Sequence, residues 1–297
     1  MNYYNEIKQQ LINNEINRKV KNYSINKSDL NTYYNVGKLL LDAGNAYGEG
    51  IIDNYANKLM DEVGKKYDRS TLFKIRKFYV VFSDEKVAPL VPQLSWSHCL
   101  ILLSIKDINK INYYIHQIEI NHYTKRQLQY AIKSHEYERL DKNTKNKLVE
   151  KTASTVFDYV KNPILIKNTD NYECVSEKIL QKLILEDISS FMKELGTGFS
   201  FIGNEYKIKL GNNYNYIDLL LFNYEYNCFV VVELKVTELK KEHIGQIQVY
   251  MNYIDNNLRK INQDKTIGII ICKKENKYII EYCSDNRIIA RRYELVL

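Results

Sequence analysis

At 297 residues, 45% of them hydrophobic, the chain has room for two domains of ordinary size with real cores. Lys and Arg number 43 against 36 Asp and Glu, a net charge of +7, which suits a phosphate-bearing partner and plain solubility about equally. The five cysteines show no Cys-x-x-Cys spacing and the five histidines no metal-ligand spacing, which speaks against a zinc site and for a reducing, cytoplasmic setting.

The N-terminus, MNYYNEIKQQ, lacks the apolar centre of a signal peptide, and no apolar run approaches membrane-spanning length. A soluble protein without a membrane partner is expected. The 26 tyrosines accompany many Asn, Lys and Ile, as an AT-rich coding bias would produce, and composition alone does not make them a stacking platform.

Residues 1–60 read as helices. Leu30–Asp42 is periodic through Tyr33 or Tyr34, Val36, Leu39 and Leu40, with Gly44 as a plausible stop. Tyr47-Gly48-Glu49-Gly50 reads as a loop, Ile51–Val63 as a helix, and Gly64 as its left-handed end. Asp68, Ser70 or Thr71 can cap a helix running through Phe82.

That helix has an apolar stripe at Leu72, Ile75, Tyr79 and Phe82, with Arg69, Lys74, Arg76 and Lys77 off it. Helix, glycine turn, basic helix is the outline of a helix-turn-helix whose second helix enters a major groove. A bundle helix with a solvated basic face fits the same residues. Pro89 and Pro92 mark a loop, and Ser95 or Ser97 caps a helix that opens on Trp96 and His98.

Further helices are expected over Ile105–Gln117 and Thr124–His135, with Lys125, Arg126 and Lys133 on a solvated face. The charged run Glu136–Lys151 reads as exposed helix or connector. The tyrosines and the lone Trp96 would suit a homodimer interface or a core equally. Pro163, followed by Lys, Asn, Thr, Asp and Asn, is the best boundary signal. It places a linker near 161–172, between a helical nucleic-acid- or partner-binding domain over 1–160 and a second domain over 172–297.

The second domain opens with a helix over Val175–Leu195, closed by Gly196 and Gly198. Tyr206–Leu210 alternates like a half-exposed strand, and Gly211-Asn212-Asn213 is a turn. Ile217–Phe222 and Phe229–Val232 are apolar runs suited to buried strands. A helix starts near Lys241. Ile267–Cys272 and Tyr278–Tyr282 read as strands, and Ile288–Val296 as a closing strand or short helix.

Charges intrude on the apolar runs at Asp218, Glu233 and Lys235. Buried carboxylates are costly unless paired or holding a metal. Glu233 and Lys235, two apart, share a strand face. A hairpin turning at Glu225-Tyr226 sets Asp218 opposite Glu233, with Cβ atoms about 5 Å apart. Two carboxylates that close repel, and a divalent cation with oxygen ligands removes the conflict. Lys235 can then help activate or position water. Gln246 and Tyr250 share a helix face beside Ile247, Met251 and Ile254.

This order, Asp…Glu-x-Lys followed by Gln-x-x-x-Tyr on a helix, resembles the PD-(D/E)xK nuclease superfamily. The stretches GFSFIGNEYKIKL, DLLLFN, VVVELK and GQIQVYMNYID are similar to the YhcG-like proteins, the family of unknown function 1016. YGEGIIDNYANKLMDEVGKKYDRSTLFKIRKFYVVF and PQLSWSHCLILL are similar to the same family's N-terminal half.

The resemblance implies an α+β chain of two domains, all-helical and then a PD-(D/E)xK-type αβββαβ mixed-sheet core. It implies a divalent-metal-dependent endonuclease, with DNA the expected substrate and Mg²⁺ or Mn²⁺ the cofactor. The alternative is a weak or inactive nuclease fold that binds nucleic acid or assembles. Asp218, Glu233, Lys235 and Gln246 would be catalytic, and Asp218, Glu233, the Leu234 carbonyl and Glu177 would hold the metal. Arg69, Lys74, Arg76, Lys77, Lys240, Lys241 and Tyr250 would contact nucleic acid. The family's helical glutamate falls nearer Gln181 than Glu177 or Glu186, so the chain departs from the pattern there. Gly203-Asn204-Glu205 stands where the family has Gly-Arg-Gln, and Glu205 reads as a surface carboxylate.

Overall fold

A computed structural model describes residues 3–20, 25–48, 50–83, 94–150, 152, 154–282 and 285–297. The expected loop at Pro89 and Pro92, and Glu49, Lys151 and Cys283, lie outside the described residues. The chain divides into two compact units, Met1–Tyr137 and Glu138–Leu297. That division falls earlier than the 161–172 linker read from sequence.

The first unit is helical: α1 (Tyr3–Val20), α2 (Ile25–Tyr47), α3 (Gly50–Glu62), α4 (Arg69–Phe82), α5 (Trp96–Leu102), α6 (Ile108–Asn121) and α7 (Lys125–Lys133). Helix α2 runs straight through Gly44, because one glycine costs a helix only about 1 kcal/mol. The chain turns at Gly48, whose φ of 82° is left-handed. Gly64 follows α3 without adopting that conformation.

Asp68 caps α4 by accepting from the Thr71 amide at 2.8 Å. The buried stripe of α4 is Leu72, Ile75, Phe78 and Phe82, so Phe78 takes the place expected for Tyr79. Tyr79 packs edge-on to Tyr34 instead. Trp96 lies against Tyr33 and Phe78, with ring centroids 4.6 and 5.3 Å away, and is a packing residue. Glu136 is not an exposed connector residue, since it is buried and accepts from the Tyr113 hydroxyl at 2.8 Å.

The second unit carries α8 (Lys142–Glu150), β1 (Ile164–Lys167), α9 (Glu177–Glu186), α10 (Ile188–Leu195), β2 (Phe199–Leu210), β3 (Asn213–Asn223) and β4 (Cys228–Glu238). Helix α11 (Lys241–Asn257), β5 (Ile267–Lys274), the short α12 (Lys277–Glu281) and β6 (Ile288–Val296) follow. Six strands form one mixed sheet in the order β1-β6-β5-β4-β3-β2. β2, β3 and β4 are antiparallel neighbours, and β4, β5, β6 and β1 run parallel.

Three expectations change here. The stretch read as linker contains β1, which pairs with β6. The helix expected over Val175–Leu195 is broken at Asp187, whose carboxylate caps α10 by accepting from the Ser190 amide at 3.1 Å. Tyr278–Tyr282 is α12 and its flank rather than a strand, because Asn276 caps it through the Ile279 amide.

Helices lie on both sheet faces. Leu180, Leu183 and Ile184 of α9 and Phe191 and Leu195 of α10 pack on Leu219, Leu221, Val232, Leu234 and Ile269. Ile247, Met251 and Ile254 of α11 pack on Leu220, Val231, Ile270 and Cys272. Each such side chain contributes about 1.5–3 kcal/mol on burial. A Cβ on Gly268 of β5 would come within 2.7 Å of Met251 and 2.8 Å of Ile247, so the missing side chain lets α11 lie close on the sheet.

The β3–β4 hairpin has the register expected from sequence, from Leu219 opposite Val232 to Asn223 opposite Cys228. Its turn is four residues, Tyr224–Asn227, centred on Glu225-Tyr226. Asn223 Oδ1 accepts from the Glu225 and Tyr226 amides, and Asn227 is left-handed at φ 46°. These devices replace the two-residue turn that Glu-Tyr suits poorly.

Candidate active site

The hairpin register brings the charges together. Asp218 and Glu233 come directly after the last paired rung, Leu219 with Val232. Asp218 Oδ2 accepts from the Leu234 amide at 2.7 Å, which ties its carboxylate to β4. Glu233 is 1% exposed, and Lys235, on the same face, is 8% exposed. Lys235 Nζ lies 3.4 Å from Glu233 Oε2 and 3.6 Å from Glu177 Oε2. Glu233 Oε1 is buried with no hydrogen-bond partner among the described residues.

The electrostatics follow from this crowding. Burial, then the Asp218 charge, pushes the Glu233 carboxyl up to about 8. Burial also raises Asp218, with Glu177 and Glu205 adding to it and the Leu234 amide and Lys235 opposing. For Lys235, burial pulls downward, but Glu233, Glu177 and Asp218 together hold the amine above its ordinary value.

The neighbouring strand and helices complete the surroundings. Asn204 opposes Leu219 and Tyr206 opposes Ile217, so Glu205 stands across from Asp218. Glu205 adopts a left-handed φ of 45°, a strained conformation for a non-glycine residue. Gln181 on α9 donates to the Asp218 carbonyl at 3.0 Å. On α11, Gln246 donates to the Tyr250 hydroxyl at 3.1 Å, and among the described residues no hydrogen bond joins it to Asp218, Glu233 or Lys235.

Not every expected residue is brought in. Glu186 pairs with Lys182 at 3.4 Å and has no contact with the acidic pair. Tyr250 is 5% exposed, with its ring in the α11 core and its hydroxyl accepting from Gln246. Lys240 and Lys241 are exposed at the start of α11, with Lys240 3.7 Å from Glu242. In the first unit, Arg69 pairs with Asp53 at 2.5 Å, Arg69 and Arg76 both stack on Phe73, and Lys74 and Lys77 are exposed.

Among the described residues no three His, Cys, Asp or Glu side chains converge on one point as a metal cluster. A cation here would rest on two carboxylates, with main-chain or water oxygens completing its shell. The unpartnered Glu233 Oε1 and an all-oxygen donor set fit Mg²⁺ or Mn²⁺.

Residues 157–297 match the family described as the YhcG PDDEXK nuclease domain, and residues 6–139 the DUF1016 N-terminal domain. The chain belongs to the YhcG family. An Escherichia coli (strain K12) protein named "Putative nuclease YhcG" is 22% identical over 319 aligned residues, covering 92% of this chain and 85% of that one.

Two solved structures are also similar, a repair endonuclease from Pyrococcus abyssi at 18% identity and an EndoMS–dsDNA2 complex at 17%. Each has a TM-score of 0.29 and covers 42% of this chain and 48% of its own. The chain spans about half the length of those structures, and a likeness that low carries no argument about substrate.

Within the YhcG frame, one neighbour of the site carried no clear sequence signal. His243 is buried, its Nδ1 accepts from the Lys240 amide at 3.2 Å, and burial followed by Lys235 holds its pKa below the ordinary value. Its position two residues into α11, just after β4, was the available hint. Gln181 donates to the Asp218 carbonyl, so it grips the strand that carries Asp218 and adds no charge.

Proposed function

We propose that the C-terminal unit hydrolyses phosphodiester bonds in DNA with the aid of a divalent cation. The observation that carries this is the convergence of Asp218 from β3 with Glu233 and Lys235 from β4, with Glu233 Oε1 buried and unpartnered among the described residues. Asp218, Glu233 and the Leu234 carbonyl would hold Mg²⁺ or Mn²⁺, with Glu177 as a further acid beside Lys235. When bound, the ion supplies Lewis-acid polarisation of a phosphate oxygen.

The remaining work falls to the chain's own groups. The Lys235 ammonium, kept charged by three carboxylates, donates to a phosphate oxygen and stabilises the negative charge that builds in the transition state. The Gln246 amide orients the attacking water. Lys240 and Lys241 hold the phosphate backbone nearby, and the basic face of α4, with Arg69, Lys74, Arg76 and Lys77, binds duplex in the first unit.

The test is incubation of the full chain, Lys235→Ala and Glu233→Gln with DNA and RNA in Mg²⁺, Mn²⁺ or chelator. Cleavage should need the cation and fall about 10²–10⁴-fold in either variant. Equal cutting by the variants refutes the assignment. A non-catalytic, nucleic-acid-binding role is the second reading, favoured by Gln181, which adds no charge beside Asp218; it predicts binding without cation-dependent cutting.

A further inference from the structure

The β2–β3 hairpin has two faces of opposite character. Ile208 is 1% exposed and packs in the α11-side core, joined by Tyr206 and Leu210. The alternate residues face solvent. Lys207 lies opposite Tyr216 and Lys209 opposite Tyr214, which makes a square of two lysines and two tyrosines. Tyr214 is 56% and Tyr216 52% exposed. Lys207 Nζ stands 3.9 Å from the centre of the Tyr214 ring.

β2 is the outermost strand on its side of the sheet. Lysines on an edge strand discourage pairing with other chains, and that alone would account for Lys207 and Lys209. It does not account for two large rings left more than half exposed beside them. Tyr216 is also two residues from Asp218 on β3, a rise of about 7 Å, so the square adjoins the proposed active site.

We propose that this hairpin face holds an unpaired stretch of the nucleic-acid strand beside the bond to be cut. Splayed bases stack on Tyr214 and Tyr216, and Lys207 and Lys209 take the flanking phosphates. Aromatic planes interleaved with ammonium groups are what single strands need, because every base has a stacking face and every link a negative charge. A duplex buries its base faces and can use only the lysines. The inference rests on the nuclease reading and extends it to the form of substrate.

The experiment uses the full chain carrying Lys235→Ala, so that bound strands survive. Its probes are a fluorescein-labelled oligothymidylate and a labelled mixed-sequence duplex, titrated by anisotropy at several salt concentrations. Tyr214→Ser with Tyr216→Ser should weaken oligothymidylate binding at least about tenfold and duplex binding much less. Tyr214→Phe with Tyr216→Phe should bind like the parent. Lys207→Gln with Lys209→Gln should make the log–log salt slope for the single strand shallower by roughly 1.4, two phosphates at about 0.7 each.

The proposal is overturned if the Ser pair melts like the parent and binds oligothymidylate as tightly, or loses single strand and duplex alike. Failure of the Phe pair to restore binding also overturns it. If the parent binds neither probe, the nuclease reading falls as well. If the unaltered chain cuts and the hairpin variants bind unchanged, only the hairpin assignment falls.

Discussion

The Leu234 amide donates a 2.7 Å hydrogen bond to Asp218 Oδ2, where a sheet ladder would ordinarily place a carbonyl. One carboxylate oxygen therefore serves the fold and leaves the other for chemistry. Asp218→Asn should keep the bond through its amide oxygen, melt near the parent and lose cation-dependent cleavage about 10²-fold or more. Asp218→Ala should also leave the Leu234 amide unsatisfied and cost about 1–3 kcal/mol. Thermal melting and a cleavage assay on both variants separate the two roles.

Glu233 makes stability depend on pH in an uncommon direction for a carboxylate. Its folded pKa of about 8 lies above the ordinary 4.5, because burial and Asp218 penalise the charged form. The neutral carboxyl's stabilising contribution is complete below 4.5 and disappears as pH rises through about 8. The metal-free protein should therefore lose melting temperature across that interval, and Glu233→Gln should flatten the loss. Adding Mg²⁺ at the alkaline end should recover it in the parent alone. A flat profile in the metal-free parent would contradict the assignment.

Arg139 and Glu194 form a buried ion pair at 8% and 12% side-chain exposure. Arg139 also donates to the Pro163 carbonyl at 2.7 Å, and Glu194 accepts from the Leu165 amide at 2.9 Å, so the pair anchors the start of β1. Arg139→Ala strands a buried charge and should cost about 3–5 kcal/mol. That is a fall of roughly ten degrees in the melting of the second unit. Arg139→Met with Glu194→Leu should recover most of it, which calorimetry would show.

Helix α4 offers a surface test of the first unit. Replacing Arg69, Lys74 and Lys77 with alanine removes exposed charges and one exposed ion pair, worth at most about 1 kcal/mol. If α4 meets duplex DNA, binding weakens and the log–log salt slope flattens by about 0.9 for each phosphate no longer neutralised. An unchanged slope dismisses the groove-binding role.

Much of the site could be read in the residues because the chemistry breaks the apolar pattern. Asp218, Glu233 and Lys235 interrupt runs of branched side chains, and period-two alternation then fixes which of them share a face. The hairpin register could be read for the same reason. What could not be read depends on neighbours distant in sequence. Glu205 is exposed, as its sequence suggests, but nothing local reports that Asp218 lies across from it. The Asp187 break was hidden inside a continuous apolar period, since an aspartate within a helix and one capping the next look alike in sequence. Arg139 looked solvated within a charged run because its partner is 55 residues away.

The four-residue turn at Tyr224–Asn227 acts as a ruler for chemistry performed some distance from it. Were one residue removed there, β3 would slip by a step against β4, and Asp218 would swing to the opposite side of the pleat from Glu233. Loop length, not only loop composition, is thus under the constraint of the site, and a shortened turn should leave a folded chain whose two acids never meet.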